Sequence, residues 1–329
     1  MGRDQAAQKA AYVKDPLLSR STKVYATAKV SDRARTARST YRVTSIVVVS
    51  FLCYLAVVFF YFGLFSSRPG VVVTFTLLIL CLCAAQPVFI EVFFPSQPWR
   101  AWIGKLGMFS VVAAILVGLF VHYKWMVYYV HYKEMPTHTN VAPSENSMQY
   151  EDAGGIIFSA DTVVDVQRSV GYRDANTSTT LCVAPVVDGT MALEDPVGFF
   201  AVGTGCCGWR GSFTCDDVAE SDAKSGMLLL TPKTLVSPLM SWTVEGAVDF
   251  EAYDAAIKLE SAVFGTTVAK HIRLLHWKKD MDESLKTYKK NALSFVWISC
   301  ALQFITLIIL AYIVIEQPFN SEAQKSAVV

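Results

Sequence analysis

Four cysteines close together in the chain offer the clearest chemistry. They fall within 34 residues and two of them are neighbours: Cys182, Cys206, Cys207 and Cys215. Clustered thiols either pair as disulfides or bind a metal such as zinc. A bridge between the neighbours Cys206 and Cys207 is strained, so each is predicted to pair with Cys182 or with Cys215. The spacing does not choose between these two arrangements.

Zinc is the competing interpretation of the same residues. The adjacent pair lacks the C-x-x-C spacing of zinc sites, and His271 and His276 lie more than 50 residues beyond the last cysteine. The sequence therefore predicts two disulfides, with no metal and no cofactor. A glycosylation sequon begins at Asn176, six residues before Cys182, and both features are typical of proteins in the secretory pathway.

Acidic residues that follow the last cysteine form the next candidate. Asp216, Asp217, Glu220 and Asp222 are carboxylates of the kind that bind calcium, but their spacing lacks the EF-hand pattern. They are predicted to form a solvated acidic surface. The sequence holds no phosphate-binding P-loop, no G-x-S-x-G nucleophile motif and no H-E-x-x-H motif. These observations favour a protein that is not an enzyme.

Long apolar segments dominate the elements that must position these residues. Hydrophobic residues make up 53% of the 329 residues and charged residues only 17%, against about 25% in soluble domains. Four segments are long enough to cross a bilayer core as helices: 43–65, 71–93, 106–130 and 291–315. The predicted fold class is an α-helical membrane protein with a four-helix transmembrane bundle. A disulfide-bonded α+β domain, residues 131–290, is predicted between the third and fourth helices.

The charge distribution predicts which side of the membrane each part occupies. Residues 1–42 hold ten Lys/Arg and three Asp, whereas residues 131–290 hold fourteen Lys/Arg and twenty-two Asp/Glu. Basic segments next to spans stay in the cytosol, so residues 1–42 and 316–329 are predicted to be cytosolic tails. The domain then faces the outside or the lumen, at the plasma membrane or an endomembrane of the secretory pathway. The lysines of 286–290 lie on the predicted outer side of the last span and leave the inverted topology open.

Arginines concentrate at the end of the basic tail, close to the first span. Such residues bind anionic lipid at roughly 1 kcal/mol each, which makes membrane lipids the predicted partner of Arg33, Arg35, Arg38 and Arg42. The alternative is that they act only as a topology signal. The net charge of +1 and the low charged content argue against a nucleic-acid partner.

One carboxylate lies near the cytosolic end of the second span. Glu91 follows Gln86, and an ionisable residue inside a span is a functional hypothesis by default. The two residues are therefore a predicted intramembrane polar site, which an oligomeric channel or transporter subunit would use. Pairing of Glu91 with Arg100 or Lys105 is the structural alternative.

The domain between the third and fourth spans shows strand and helix patterns. Short β-branched or apolar runs predict strands at 156–158, 163–166, 181–187, 198–202 and 271–277. Apolar residues at helical spacing, Phe250, Tyr253, Ile257 and Phe264, predict a helix that covers the sheet. Residues 135–155 are polar and contain two prolines, so they are predicted to be a linker or a surface loop.

The layout resembles that of the tetraspanins, which also place one large outer domain between spans three and four. Cys206-Cys207-Gly208 matches the Cys-Cys-Gly hallmark of that family's large loop. The short first connection at 66–70 and the predicted strands depart from the family pattern. The resemblance is therefore one of layout.

A second resemblance covers most of the outer domain. The runs that carry it are Cys182-Val183-Ala184-Pro185-Val186, Ala201-Val202-Gly203-Thr204-Gly205-Cys206-Cys207 and Phe213-Thr214-Cys215. They are similar to a group of uncharacterised membrane proteins of dinoflagellates and related protists, and this resemblance implies no activity.

Taken together, these patterns favour a non-enzymatic membrane scaffold or recognition protein. The outer domain would bind protein partners, and the bundle would anchor or cluster them in a homo- or hetero-oligomer. The alternatives are a structural subunit of a large membrane complex and the channel or transporter subunit that would use Gln86 and Glu91.

Overall fold

The computed structural model describes residues 16–94, 98–173, 178–192, 194–230 and 250–326. In the first and last helices, side chains are described from Ser39 onward and up to Val314. The predicted glycosylation site at Asn176 lies outside the described residues.

Six α-helices are present in the described part of the chain. They are α1 (Pro16–Leu64), α2 (Pro69–Phe93), α3 (Ala101–Val121), α4 (Val127–Glu134), α5 (Phe250–Phe264) and α6 (Met281–Ser326). A π-helical segment, His122–Met126, joins α3 to α4 without a break. Short 3-10 helices lie at Pro98–Arg100, Ser147–Tyr150 and Val166–Arg168.

Four stretches of these helices are long and apolar enough to cross a membrane. Over the residues described, they are Ser39–Leu64, Pro69–Phe93, Ala101–Glu134 and Met281–Val314. The four predicted spans are confirmed, and the protein is an integral membrane protein. The flanking helices continue into the predicted domain, 131–290, as far as Glu134 on one side and from Met281 on the other, and the bounds of the domain stay a prediction. Backbone hydrogen bonding carries each helix beyond the apolar run that marks the membrane core.

The chain divides into two compact units, and the described residues of the first contain helices but no strand. This first unit contains Met1–Val57, Val73–Ala114 and Cys300–Val329. Its apolar interior is a cluster of buried residues: Ile46, Val47, Leu106, Leu307 and Ala311. Inside the same unit the amide nitrogen of Gln303 donates a hydrogen bond to the hydroxyl of Ser110 over 3.2 Å. Both side chains are buried, and such polar contacts hold spans together where lipid offers no hydrogen bonds.

The second unit contains Val58–Val72 and Ile115–Ser299, and it includes the whole sheet. In its helical part Gly118 lies against Tyr61, since a Cβ atom on the glycine would come within 2.6 Å of the Tyr61 Cβ. Only a residue without a side chain fits this contact between spans. The aromatic rings of Phe120, Trp125 and Phe295 pack together in the same unit, with centroids 5.0 to 5.7 Å apart.

Eight strands form one mixed sheet within the described residues. They are β1 (Thr137–Val141), β2 (Gly155–Phe158), β3 (Val163–Val164), β4 (Val170–Arg173), β5 (Thr180–Val187), β6 (Val197–Thr204), β7 (Ser225–Leu228) and β8 (Val268–Lys278). The order across the sheet is β1-β2-β7-β8-β6-β5-β3, and β4 pairs with β5 beside β3. The pairs β1–β2 and β6–β8 are parallel, and the others are antiparallel.

Both faces of the sheet are buried at its centre. Alternate residues of β5 divide between two cores, so that Leu181 and Val183 face one side while Cys182 and Ala184 face the other. Helix α5 covers the first side with Tyr253 and Ile257, as the sequence predicts. Burial on both faces explains why β5 and β6 read as nearly continuous apolar runs.

The prediction of a linker or loop at residues 135–155 is wrong, because this segment contains β1 and a 3-10 helix. Strand β1 lies at the edge of the sheet and pairs with β2 alone, so most of its residues are exposed and polar. An edge strand of this kind lacks the apolar alternation by which strands are recognised. Strands β4 and β7 were also missed, because each has four residues and contains a glycine.

Candidate functional site

The four clustered cysteines form two disulfides. Cys182 pairs with Cys207 at a Cα–Cα distance of 5.8 Å, and Cys206 pairs with Cys215 at 5.0 Å. Both distances lie in the usual range for disulfides. The prediction of two bridges is confirmed, and the structure selects one of the two arrangements that the spacing left open.

The two disulfides lie side by side at one end of β5 and β6. The sulfur atoms of Cys182, Cys206 and Cys215 all lie within 4.8 Å of one another. Gly203 of β6 pairs with Cys182 of β5 and lies directly beneath the disulfides. A Cβ atom there would come within 2.7 Å of the Cys206 sulfur and 2.5 Å of the Cys215 sulfur. Glycine at this position is therefore required for the Cys206–Cys215 bridge to fit.

Metal binding by the same residues is not supported. Among the residues described, the cysteine trio is the only group of three candidate ligands close enough for one ion. All three sulfurs are engaged in disulfides, and zinc is bound by thiolates. The bridges therefore account for the closeness of these sulfur atoms.

A loop between the disulfides presents a tryptophan to solvent. We call residues 205–215 the Trp209 loop, after a side chain that is 71% exposed. The loop leaves β6 at Gly205, whose φ of +69° favours glycine. Its backbone is held to the neighbouring segment, because Gly211 N donates to the Ser169 carbonyl oxygen over 3.0 Å.

Further hydrogen bonds close the loop on itself. The Thr214 backbone nitrogen donates to the Cys206 carbonyl oxygen over 2.8 Å, and the Gly208 nitrogen donates to the Ser212 hydroxyl over 2.6 Å. Two disulfides and these contacts fix the backbone, while the indole of Trp209 remains exposed. The structure thus combines a backbone held by two disulfides and hydrogen bonds with a large apolar side chain in solvent.

An ion-pair cluster adjoins the Trp209 loop. Asp216 follows Cys215 directly and has a φ of +53°, which turns its carboxylate toward β8. There it accepts hydrogen bonds from His276 Nδ1 at 3.1 Å and from Lys278 Nζ at 2.5 Å. Burial opposes ionisation of Asp216, but the hydrogen bonds and charges of His276 and Lys278 outweigh it and lower its pKa. The carboxylate is therefore held in its charged form.

The other acidic residues of this segment also have partners. Asp217 accepts a hydrogen bond from the Lys279 backbone nitrogen at 2.9 Å, and the Lys279 ammonium lies 2.7 Å from Asp222. Asp216 and Asp217 are held by residues of β8 and its end. Asp216, Glu220 and Asp222 are exposed and Asp217 is half-buried, in line with the predicted acidic surface. Lys278, the last residue of β8, and Lys279, which follows it, thus pair with carboxylates of this segment.

An open cleft borders the ion-pair cluster. It has a volume of about 730 Å³, and its lining includes Asp216, His276 and Lys278 together with Tyr288 of α6 and Trp125 of the π segment. His276 contacts Asp216 through ring nitrogen Nδ1. The Nε2 edge of the ring therefore lies on the side away from this carboxylate. The cluster is thus one polar wall of this cleft.

The two residues of the predicted intramembrane site differ in their contacts. Gln86 is partly buried and its amide nitrogen donates to the Arg100 carbonyl oxygen at 3.2 Å. Glu91 is exposed, and a separation of five residues places it about 140° away around the helix. These two residues therefore face different surroundings, and a shared role remains a prediction.

The basic tail is described only in part. Arg33, Arg35 and Arg38 belong to α1, and their side chains lie outside the described ones. The Arg42 guanidinium lies 5.9 Å from the centre of the Trp99 ring. A cation near an aromatic ring at the end of a span is typical of the membrane interface. Lipid binding by the tail stays a prediction.

The roles of three residues described here are not predicted from the sequence. His276 lies on the predicted strand 271–277 and Lys278 directly follows it, and their spacing of two places both on one face of an extended chain. Gln303 interrupts the apolar run of the fourth span, which is itself a signal for a buried polar contact.

Comparison with known proteins finds no matching family model, no matching curated protein and no matching solved structure.

Proposed function

We propose that this membrane protein is a non-enzymatic recognition or scaffold protein, tetraspanin-like in layout. Its sheet domain would bind a protein partner through the Trp209 loop, and its four spans would anchor or cluster the complex. The observation that carries the proposal is the 71% exposure of Trp209 on a loop held by two disulfides.

The energetics of binding support this use of the loop. Tryptophan is enriched among the few residues that dominate the affinity of protein interfaces. Ordering a mobile loop costs free energy when a partner binds, and a loop that is already rigid avoids most of this cost. The two bridges and the backbone hydrogen bonds of the Trp209 loop provide that rigidity in advance.

The disulfides also support a location for the domain. Bridges persist in oxidising compartments, so we place the domain outside the cell or in the lumen of the secretory pathway. The amino- and carboxy-terminal tails would then be cytosolic, with the basic residues of the first tail near anionic lipids. A glycan on Asn176 is part of the same proposal.

Crosslinking from a defined position tests the recognition function. A photo-activatable residue would replace Trp209 in the full-length protein, and a matched variant would carry it at Met148, which is 50% exposed on another part of the same domain. We expect a discrete crosslinked product from position 209 and none from position 148. Excess unlabelled full-length protein in detergent micelles should remove this product. The same products from both positions, or none from position 209, would contradict the proposal.

A channel or transporter subunit is the second candidate. It is favoured by buried polar groups on three spans of one unit, namely Ser50, Ser110 and Gln303. Ion flux through reconstituted vesicles that Glu91→Gln abolishes, and that Trp209→Ala leaves unchanged, would favour this candidate over recognition.

A further inference from the structure

The two disulfides differ in how their ends meet solvent. Cys182 is fully buried and Cys215 is 2% exposed, whereas Cys206 and Cys207 are partly exposed. An external thiol can therefore reach only one of the two sulfur atoms of each disulfide. Each exposed end belongs to a different bridge, and the two ends are neighbours in the chain.

The buried ends lie close to the opposite bridge. The Cys182 sulfur is within 4.8 Å of both sulfurs of the Cys206–Cys215 bridge. Cys182 is held in place on β5, where it pairs with Gly203 of the neighbouring strand. A thiol released at Cys182 would stay buried, with the second bridge as its nearest reaction partner.

We propose that the two bridges form one thiol–disulfide exchange centre, with Cys207 as the site that an external thiol attacks. The reactant is a small monothiol of the glutathione class. Its thiolate attacks the Cys207 sulfur, forms a mixed disulfide there and releases the Cys182 thiolate. Exchange of this kind proceeds by thiolate attack on one sulfur of a disulfide, with the other sulfur leaving.

The second step uses the neighbouring bridge. The Cys182 thiolate attacks Cys206, forms a Cys182–Cys206 bridge and releases the Cys215 thiolate. In the third step the Cys215 thiolate attacks Cys207, forms a Cys207–Cys215 bridge and expels the monothiol. No electrons are gained or lost overall, and the monothiol is regenerated as a catalyst.

The product is the alternative pairing that the cysteine spacing also permits. It keeps two bridges and avoids one between the neighbours Cys206 and Cys207. The end of the Trp209 loop changes partner, since Cys215 moves from Cys206 to Cys207. The inference does not depend on partner recognition, because the pairing itself is what is measured.

Peptide mapping of the wild-type protein tests the exchange. Full-length protein in detergent would be incubated at pH 8 with millimolar glutathione or without it, then quenched with acid and alkylated. Fragmentation between Cys206 and Cys207 in the mass spectrometer assigns each bridge. We expect the Cys182–Cys206 pairing to rise at least fivefold with glutathione, while the total of free thiols stays unchanged.

A double variant provides the matched control. Cys206→Ser with Cys215→Ser removes the second bridge, so that glutathione at Cys207 can leave only by reversal. We expect the glutathione adduct on Cys207 to accumulate in this variant and not in the wild type. Retention of the original pairing alone in wild-type protein, under conditions that label Cys207 in the variant, would overturn the proposal. Absence of the adduct in both proteins would also overturn it, because Cys207 would then be out of reach.

Discussion

Tyr132, in the last turns of the third span, donates a hydrogen bond to the carbonyl oxygen of Leu228 on β7 over 2.6 Å. The tyrosine is 8% exposed, and 96 residues separate the two partners along the chain. The contact joins a membrane helix to the sheet through one buried hydroxyl.

Removal of that hydroxyl tests its contribution. We expect Tyr132→Phe to lower the free energy of unfolding by about 1–3 kcal/mol, because a buried carbonyl oxygen loses its donor. Denaturant unfolding in detergent measures the change. Tyr129→Phe is the matched control, since it keeps the ring over which Lys133 and Lys289 lie at 5.9 Å. Equal losses in both variants would show that the hydroxyl of Tyr132 has no special role.

Gly203 is expected to be essential for the Cys206–Cys215 disulfide. An alanine Cβ there would collide with the sulfurs of Cys206 and Cys215, so Gly203→Ala should leave free thiols in the domain. Counting alkylated cysteines under non-reducing conditions measures this. Gly189→Ala is the control, because nothing lies within 4 Å of the added atom. A wild-type count of free thiols in Gly203→Ala would contradict the packing described.

Asp216 makes stability depend on acid pH. Its folded pKa is lowered by His276 and Lys278 against the effect of burial, so the ionised form is favoured by folding. The stabilisation is present above the unfolded pKa, which is about 3.9, and is lost as the pH falls through the folded value. Asp216→Asn should therefore be less stable at neutral pH and show a flatter acid limb in thermal unfolding. Asp161→Asn, at an exposed position, should keep the wild-type profile.

Glu260 gives the opposite dependence. Its side chain is fully buried in α5, where one oxygen accepts a hydrogen bond from Thr266 over 2.7 Å. The other oxygen has no hydrogen-bond partner in the described part of the chain. Burial raises the pKa of Glu260 despite the hydrogen bond from Thr266, so the neutral form is favoured by folding.

The sign of the effect follows from that shift. Stability is complete below the unfolded pKa of about 4.3 and declines as the pH rises through the folded pKa. Glu260→Gln keeps the shape of the side chain and removes the charge, so we expect higher stability than wild type at alkaline pH and little change near pH 4. Melting temperatures across the pH range measure the difference. A constant offset at every pH would show that ionisation of Glu260 is not involved.

The membrane spans could be predicted because hydropathy over 20 residues is a local property. The positions of the bridged cysteines were also predictable, but their pairing was not. Pairing depends on the register that places Cys182 opposite Gly203, and this register is set by the whole ladder between β5 and β6. Spacing along the chain does not contain that information.

The ion-pair cluster escaped prediction for a related reason. Asp216 is 60 residues from His276 and 62 from Lys278, and only the fold of the loop onto β8 brings them together. From the sequence alone, His276 is a candidate only for a zinc site, and it lies far along the chain from the cysteines. The sequence predicts the strand that carries His276 but does not predict its contact with Asp216.

Two connections join the membrane helices to the sheet, and each is two residues long. Met135 and Pro136 separate Glu134 from β1, and Lys279 and Asp280 separate β8 from α6. Neither connection is long enough to act as a flexible linker. Tension applied to the sheet domain, for example by a bound partner on a moving surface, would therefore be transmitted directly to the third and fourth spans instead of being absorbed by a flexible tether.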